Sequence, residues 1–258
     1  MSSWTHVRRF DLVEVCGVAI AVAGISWLGA RWTIRPLKYG EASGIQEAAN
    51  LRAAYGPSRF SEHQEEWVIR DYFGDRRDGY FVDVGANDYR EFSNTYYLES
   101  RLGWSGLAIE PQVRFAEGYR SHRPRTRFLP LFASDVSNAQ ARLFLHESNP
   151  LVTSSSREYA ERWGADLKEI QVPTITLTDL LDQLGIKRLD LLSIDVELSE
   201  PKVLAGFDID RFKPSLVCIE ACVEVRQFVL DYFARHRYVL LGKYIRADQD
   251  NLYFAPLG

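Results

Sequence analysis

Apolar and polar positions along the chain follow two periods. Over residues 61–73, Trp67, Val68, Ile69, Tyr72 and Phe73 recur at helical spacing behind Ser61-Glu-His-Gln64, a capping-box pattern, and predict the helix that opens a folded domain. Residues 80–84 (YFVDV) form a short apolar run ending beside a glycine, as a buried strand does. Residues 92–102 return to helical spacing through Tyr96, Tyr97 and Leu102. Further strands are predicted at 107–109, 128–132, 189–194 and 216–219, and helices at 177–184 and 225–234. Residues 238–241 and 252–254 suit a terminal hairpin.

Strands alternating with helices predict an α/β domain whose mainly parallel sheet is covered on both faces. Ligands bind such sheets beyond the carboxyl ends of the strands, near the switch point in strand order. Asp83, Glu110, Asp135, Asp195 and Glu220 each stand at or just after such an end, with Gly85 in the first turn. A rim of carboxylates with one glycine turn suits ribose hydroxyls, an amino group or a positive charge. It repels a bare polyphosphate.

The amino-terminal segment has a different character. Residues 15–30 (VCGVAIAVAGISWLGA) carry no charge, and as a helix they extend about 24 Å, somewhat short of a bilayer's hydrocarbon core. A membrane anchor over residues 1–32 is the favoured reading. Two alternatives stay open: a cleaved signal peptide, since Arg8 and Arg9 precede the run and Ala21-Val22-Ala23 resembles a cleavage site, and a soluble buried helix. Arg31, Arg35 and Lys38 follow the segment, whereas Arg8 and Arg9 lie near Asp11 and Glu14. That asymmetry favours a single-pass protein with its carboxy-terminal domain in the cytoplasm. Residues 33–60, punctuated by Pro36, Gly40, Gly44, Gly56 and Pro57, read as a connector with a short Ala-rich helix over 45–55. Residues 61–258 form the domain.

Of 258 residues, 46% are hydrophobic and 26% charged, which excludes global disorder. A net charge of −4 makes no electrostatic case for nucleic-acid binding, and Arg120, Arg123, Arg125 and Arg127 read as a solvated helix end around His122. His122 and His146 are the histidines placed to reach a site from loops. Cys16, Cys218 and Cys222 make neither a disulfide framework nor a zinc-ligand spacing, so no metal site is assigned and a reducing compartment is expected.

The first turn, Asp83-Val-Gly85-Ala-Asn87-Asp, lacks the second and third glycines of a dinucleotide fingerprint, where Asn87 and Arg90 stand. NAD and FAD are thereby disfavoured, and no Gly-Lys-Ser/Thr triplet occurs. Glu110 follows Gly85 by 25 residues, near the place where a second-strand carboxylate takes both ribose hydroxyls. The alternative readings are an ordinary strand-to-helix turn and a surface glutamate before a proline.

The ordered set FVDVGAN (81–87), Ser93-Asn94-Thr95, YLE (97–99), LGWSGLAIEP (102–111) and DLLSIDVE (190–197) resembles the FkbM family of S-adenosylmethionine-dependent methyltransferases over about residues 61–258. It is also similar to bacterial relatives of that domain in the insect membrane protein Star, which share an amino-terminal membrane segment. The resemblance implies a Rossmann-like, seven-stranded class I methyltransferase sheet with S-adenosylmethionine as cofactor. It places Asp83, Gly85 and Asn87 on the cofactor's methionine side, Glu110 on the ribose, Ser134 and Asp135 at the adenine, and Asp195 with Glu197 beside the methyl donor. Two positions depart from the family pattern: Leu198 stands for a usual glycine in Asp-x-Glu-Gly-x-Glu, and Tyr89 for a frequent glycine.

Methyl transfer to an oxygen needs alignment and a proton acceptor. Asp195, Glu197 and Glu220 are the candidate bases, with Mg²⁺ binding or purely structural contacts as alternatives. Acceptor selection is expected from Ser154-Ser155-Ser156 and Tyr159 in the connection over 147–172. The leading expectation is a membrane-tethered O-methyltransferase acting on a sugar, lipid-linked glycan or small-molecule hydroxyl. The competing one is a non-catalytic membrane-associated binding or trafficking module.

Overall fold

In the computed structural model, residues 39–57, 59–146, 153–248 and 250–258 are described. Along the chain come α1 (Tyr39–Tyr55), α2 (Glu65–Phe73), β1 (Tyr80–Val84), α3 (Tyr96–Leu102), β2 (Ser105–Ile109), α4 (Ala116–His122) and β3 (Thr126–Leu129). Next are β4 (Phe132–Ala133), β5 (Gln140–His146), β6 (Thr153–Ser154), α5 (Arg157–Glu161), β7 (Leu167–Ile175) and α6 (Leu177–Gln183). The last third holds β8 (Leu191–Ile194), α7 (Glu200–Ala205), α8 (Ile209–Phe212), β9 (Leu216–Glu220), α9 (Arg226–Arg235), β10 (Tyr238–Leu240) and β11 (Asn251–Pro256).

Seven strands pair in the order β10-β11-β9-β8-β1-β2-β3. β3, β2, β1, β8 and β9 are mutually parallel, and β11 runs antiparallel to both of its neighbours. Strand order reverses between β1 and β8, which puts the switch point there. Successive side chains of a strand point to opposite faces. Val82, Val84, Leu192, Ile194, Val217 and Ile219 therefore pack on one side against α6, α7 and α9. Phe81, Leu191, Leu216 and Tyr253 pack on the other with Trp67 and Ile69 of α2 and Leu98 of α3. Burial on both faces is why these strands are predominantly apolar without strict alternation, Asp83 and Ser193 being buried polar exceptions. This is the seven-stranded α/β fold that the resemblance implies.

Four local expectations are corrected. The helix predicted from Ser61 begins at Glu65, because Ser61 spends its hydroxyl oxygen on the Glu66 N–H (3.1 Å) while the Glu66 and Glu65 carboxylates take the N–H groups of Phe60 and His63. The strand predicted over 128–132 is broken at Pro130, which has no N–H to donate; β3 ends before it and β4 enters a second sheet. The Ala-rich helix expected over 45–55 starts earlier, α1 beginning at Tyr39; its Leu51 is buried and its Tyr55 hydroxyl donates to Asp71 at 2.9 Å. Arg123 is not a solvated helix end: it is 1% exposed and ion-paired with buried Glu99.

The connection over 147–172 contains strands, too. β4, β7, β5 and β6 form a four-stranded sheet in that order, with β5 and β7 antiparallel. The expected anchor and its orientation, residues 1–32, lie outside the described residues. Among the described residues no helix is long and apolar enough to cross a membrane.

Candidate active site

Register builds the site. Ile109 pairs with Val84, Val84 with Ile194, and Ile194 with Ile219. The next residues, Glu110, Gly85, Asp195 and Glu220, thus stand in one row across the carboxyl ends of four parallel strands, which lie about 4.8 Å apart. Gly85 adopts φ +82°, and a Cβ there would sit 1.7 Å from the Asp195 carbonyl oxygen. The glycine is required by the neighbouring chain as much as by any ligand.

Above this row opens a hollow of about 820 Å³ that includes space continuous with solvent. Gly85, Asn87, Glu110, Asp195 and Glu197 border it, as expected from the sequence. Glu62, Glu65, Asn94 and Thr153 also border it and were not singled out as site residues. Asn94 belongs to the Ser-Asn-Thr motif and Glu65 to the first helix, so their only advance signal was proximity to recognised patterns. Among the described residues, no lysine or arginine borders it.

Glu110 is 4% exposed. One of its oxygens accepts from the Gln112 N–H (2.9 Å) and the other from the Asn87 N–H (3.3 Å). Burial pushes its pKa up to about 7 against those donors. Asp83 is buried beneath the hollow and takes the Thr95 hydroxyl at 2.8 Å; burial raises it to about 6. The loop after β1 is held from below. Arg123 donates to the Tyr89 and Thr95 carbonyls (2.8 and 3.2 Å), the Tyr119 hydroxyl donates to the Ala86 carbonyl (3.0 Å), and Tyr89 stacks on His122. His146 is buried, its Nε2 2.8 Å from the Ala160 carbonyl oxygen.

The other half of the rim is crowded with acids. Asp195 presents its exposed surface to the hollow, and burial, then Glu220, Glu197 and Glu200, hold its pKa well above the carboxylate range. Burial raises Glu197 as well, against a hydrogen bond from Tyr159 of α5. Glu200, 1% exposed, is raised to about 7 by burial, and Glu220 to about 8 by burial and then Glu197. Glu197 Oε2, Glu200 Oε2 and Glu220 Oε2 are shut off from solvent with no hydrogen-bond partner. Among the described residues no three His, Cys, Asp or Glu side chains are arranged to hold a metal ion.

Glu197 and Leu198 both have left-handed backbone, φ +52° and +74°. Leu198 therefore keeps the conformation a glycine would take freely, at about 1–2 kcal/mol. The second sheet braces this loop: the Ser154 hydroxyl donates to the Glu197 carbonyl (2.6 Å), and the Ser155 and Ser199 hydroxyls are 2.8 Å apart. Ser134 and Asp135 do not border the hollow. The Ser134 hydroxyl donates to Asp135, which is exposed, while Leu131, Phe132 and Ala133 just before them form the wall.

Residues 83–244 match the family model described as the methyltransferase FkbM domain. No curated protein sequence matches the chain. Among solved structures, the TehB-like SAM-dependent methyltransferase of Corynebacterium glutamicum is similar over 84% of this chain and 98% of its own, with 14% identity and a TM-score of 0.43. The precorrin-6y C5,15-methyltransferase of Geobacter metallireducens is similar over 76% of this chain and 89% of its own, with 11% identity and a TM-score of 0.42.

Proposed function

The chain belongs to the FkbM methyltransferase family, and from that premise we propose that it binds S-adenosylmethionine in the hollow and methylates a hydroxyl oxygen of a sugar, glycan or other small molecule. The observation that carries this reading is the row Glu110–Gly85–Asp195–Glu220, which sets a hydrogen-bonded carboxylate on one side of the glycine turn and proton acceptors on the other. The residues present fit the cofactor. Glu110 is oriented by two N–H groups to accept a vicinal diol, and among the described residues no lysine or arginine borders the place of a cationic sulfonium.

When bound, S-adenosylmethionine supplies an electrophilic methyl group. The chain's own work is to orient and to move a proton. Glu110 would hold the ribose, with Asn87 and Asn94 bordering the same hollow. Asp195 or Glu197 would take the acceptor's proton; carboxyls lifted towards neutrality by burial are stronger bases than solvated ones. The second sheet, through Thr153 and the Ser154 and Tyr159 contacts to Glu197, would shape the acceptor's approach.

Calorimetry of the full chain with S-adenosylmethionine tests the first half. Absence of binding at millimolar cofactor sinks it. Tritiated methyl transfer to cell extracts tests the second half, and binding without any transfer favours a non-catalytic module. Attachment to a membrane through residues 1–32 belongs to the same proposal, with the domain on the cytoplasmic side; release by carbonate extraction of membranes contradicts it.

A further inference from the structure

Phe92 stands in the loop between β1 and α3 with left-handed backbone, φ +59°, a conformation that a bulky side chain rarely adopts. The loop is fastened on both sides of it. The Asp88 carboxylate accepts the N–H groups of Arg90 and Glu91, each at 2.9 Å, and the Asn94 amide donates to the Ser193 hydroxyl at 3.0 Å. A parallel bridge joins Phe92 itself to Ser61, just ahead of α2. This fastening does not bury the side chain: Phe92 borders the hollow and stays 48% exposed.

Glu65 borders the same hollow from the first turn of α2, yet it is only 5% exposed. One of its oxygens accepts from the His63 N–H (2.8 Å) and the other from the Asn251 amide (2.9 Å). Asn251 is held in turn. Its amide also reaches both oxygens of Asp248, at 3.4 and 3.3 Å, and the Tyr253 hydroxyl donates to Asp248 at 2.5 Å. The hollow is thus bordered by a buried carboxylate, fixed by donors remote in sequence, and by an exposed aromatic ring.

Resting on the methyltransferase reading above, we propose that these two side chains read the charge of the cofactor. Phe92 and Glu65 favour the sulfonium of S-adenosylmethionine over the neutral thioether left after transfer, so the spent cofactor is released. A sulfonium carries no N–H or O–H, and no hydrogen bond from it can single it out. An aromatic face attracts a cation through its quadrupole, and a carboxylate held away from water attracts it through its charge. With the ribose on Glu110, the sulfur lies farther along the row towards Gly85, where the Phe92 loop begins. During transfer the acceptor's O–H pair forms the O–CH₃ bond, its proton passes to the carboxylate base, and the S–CH₃ pair stays on sulfur. The positive charge is then gone, and both attractions weaken in the same step. Phe92 and Glu65 determine specificity in this scheme and take no proton.

Calorimetry of the full chain compares three ligands: S-adenosylmethionine, the demethylated S-adenosylhomocysteine with its neutral sulfur, and sinefungin, which carries an ammonium group in place of the sulfonium. Expected is binding at least about tenfold tighter for the two ligands charged at this position than for the neutral one. Phe92→Leu keeps an apolar side chain without the ring, and Glu65→Gln keeps the shape without the charge. Each should narrow that ratio by about threefold or more, by weakening the charged ligands alone. A smaller ratio in the unaltered chain overturns the inference, as does sinefungin behaving like the neutral ligand. So does a variant that leaves the ratio in place or weakens all three ligands alike, the mark of a merely structural wall. Failure of all three to bind defeats the methyltransferase reading and this inference together; binding without preference defeats the charge reading alone.

Discussion

Glu110 and Asp195 are both acids, both one step past a buried strand, and both neighbours of Gly85 in the same row. Their surroundings make them different reagents. Glu110 is met by two backbone N–H groups that fix its orientation, whereas Asp195 meets Glu220, Glu197 and Glu200. In the proposed mechanism the first half of the rim would accept hydrogen bonds from the ligand, and the second would take up the proton. Residue type and position do not separate these tasks; local donors and like charges do.

The largest effect comes from breaking the point where the halves touch. Gly85→Ala drives a methyl into the Asp195 carbonyl at a backbone angle alanine resists, and is expected to cost about 3 kcal/mol or more of stability. Urea denaturation measures it, and a loss below 1 kcal/mol contradicts the contact.

Next is Glu110→Ala, which removes the charged acceptor on the donor-rich side. S-adenosylmethionine affinity should fall by about 2–3 kcal/mol, roughly 30- to 150-fold, by calorimetry. An unchanged affinity means the ribose lies elsewhere.

The buried carboxyls on both halves of the rim predict a pH dependence opposite to that of ordinary paired carboxylates. Glu65, Glu110 and Glu200 are raised to about 7 and Glu220 to about 8 in the folded chain. The folded state thus binds more protons than the unfolded one between about pH 4.5 and 8. Stability of the unliganded chain is fully present below the unfolded pKa and falls as pH rises through the folded values, at about 1.4 kcal/mol per pH unit for each proton. Glu200→Gln should flatten that slope by up to one proton. A slope that stays the same contradicts the burial of an ionisable Glu200.

The smallest effect is expected from Tyr159→Phe, about 1 kcal/mol, because one hydrogen bond to Glu197 is lost. Its sharper signature is an upward move of the Glu197 pKa, since the hydroxyl that favoured the ionised form has gone. Carboxyl-detected NMR reads it; a downward move contradicts the contact.

Much of this was legible in the sequence. β1, β8 and β9 are buried on both faces and read as short, mostly apolar runs, so their ends, and the acids there, could be located. The second sheet was not legible. β5 and β7 bury only part of each strand, and their pairing joins residues up to 33 positions apart, Gln140 with Pro173, which no local period reports. Glu65 and Thr153 reach the hollow from elements remote in sequence, and only the assembled fold brings them there. Arg123 was misread for a related reason: its partner Glu99 lies a helix and a strand away.

The missing side chain at position 85 also makes two loops mechanically inseparable. With the Asp195 carbonyl occupying the volume a Cβ would need, neither turn can be reshaped alone. Anyone transplanting a different acceptor loop onto this scaffold would have to exchange the segments around 85 and 195–199 together, as one cassette.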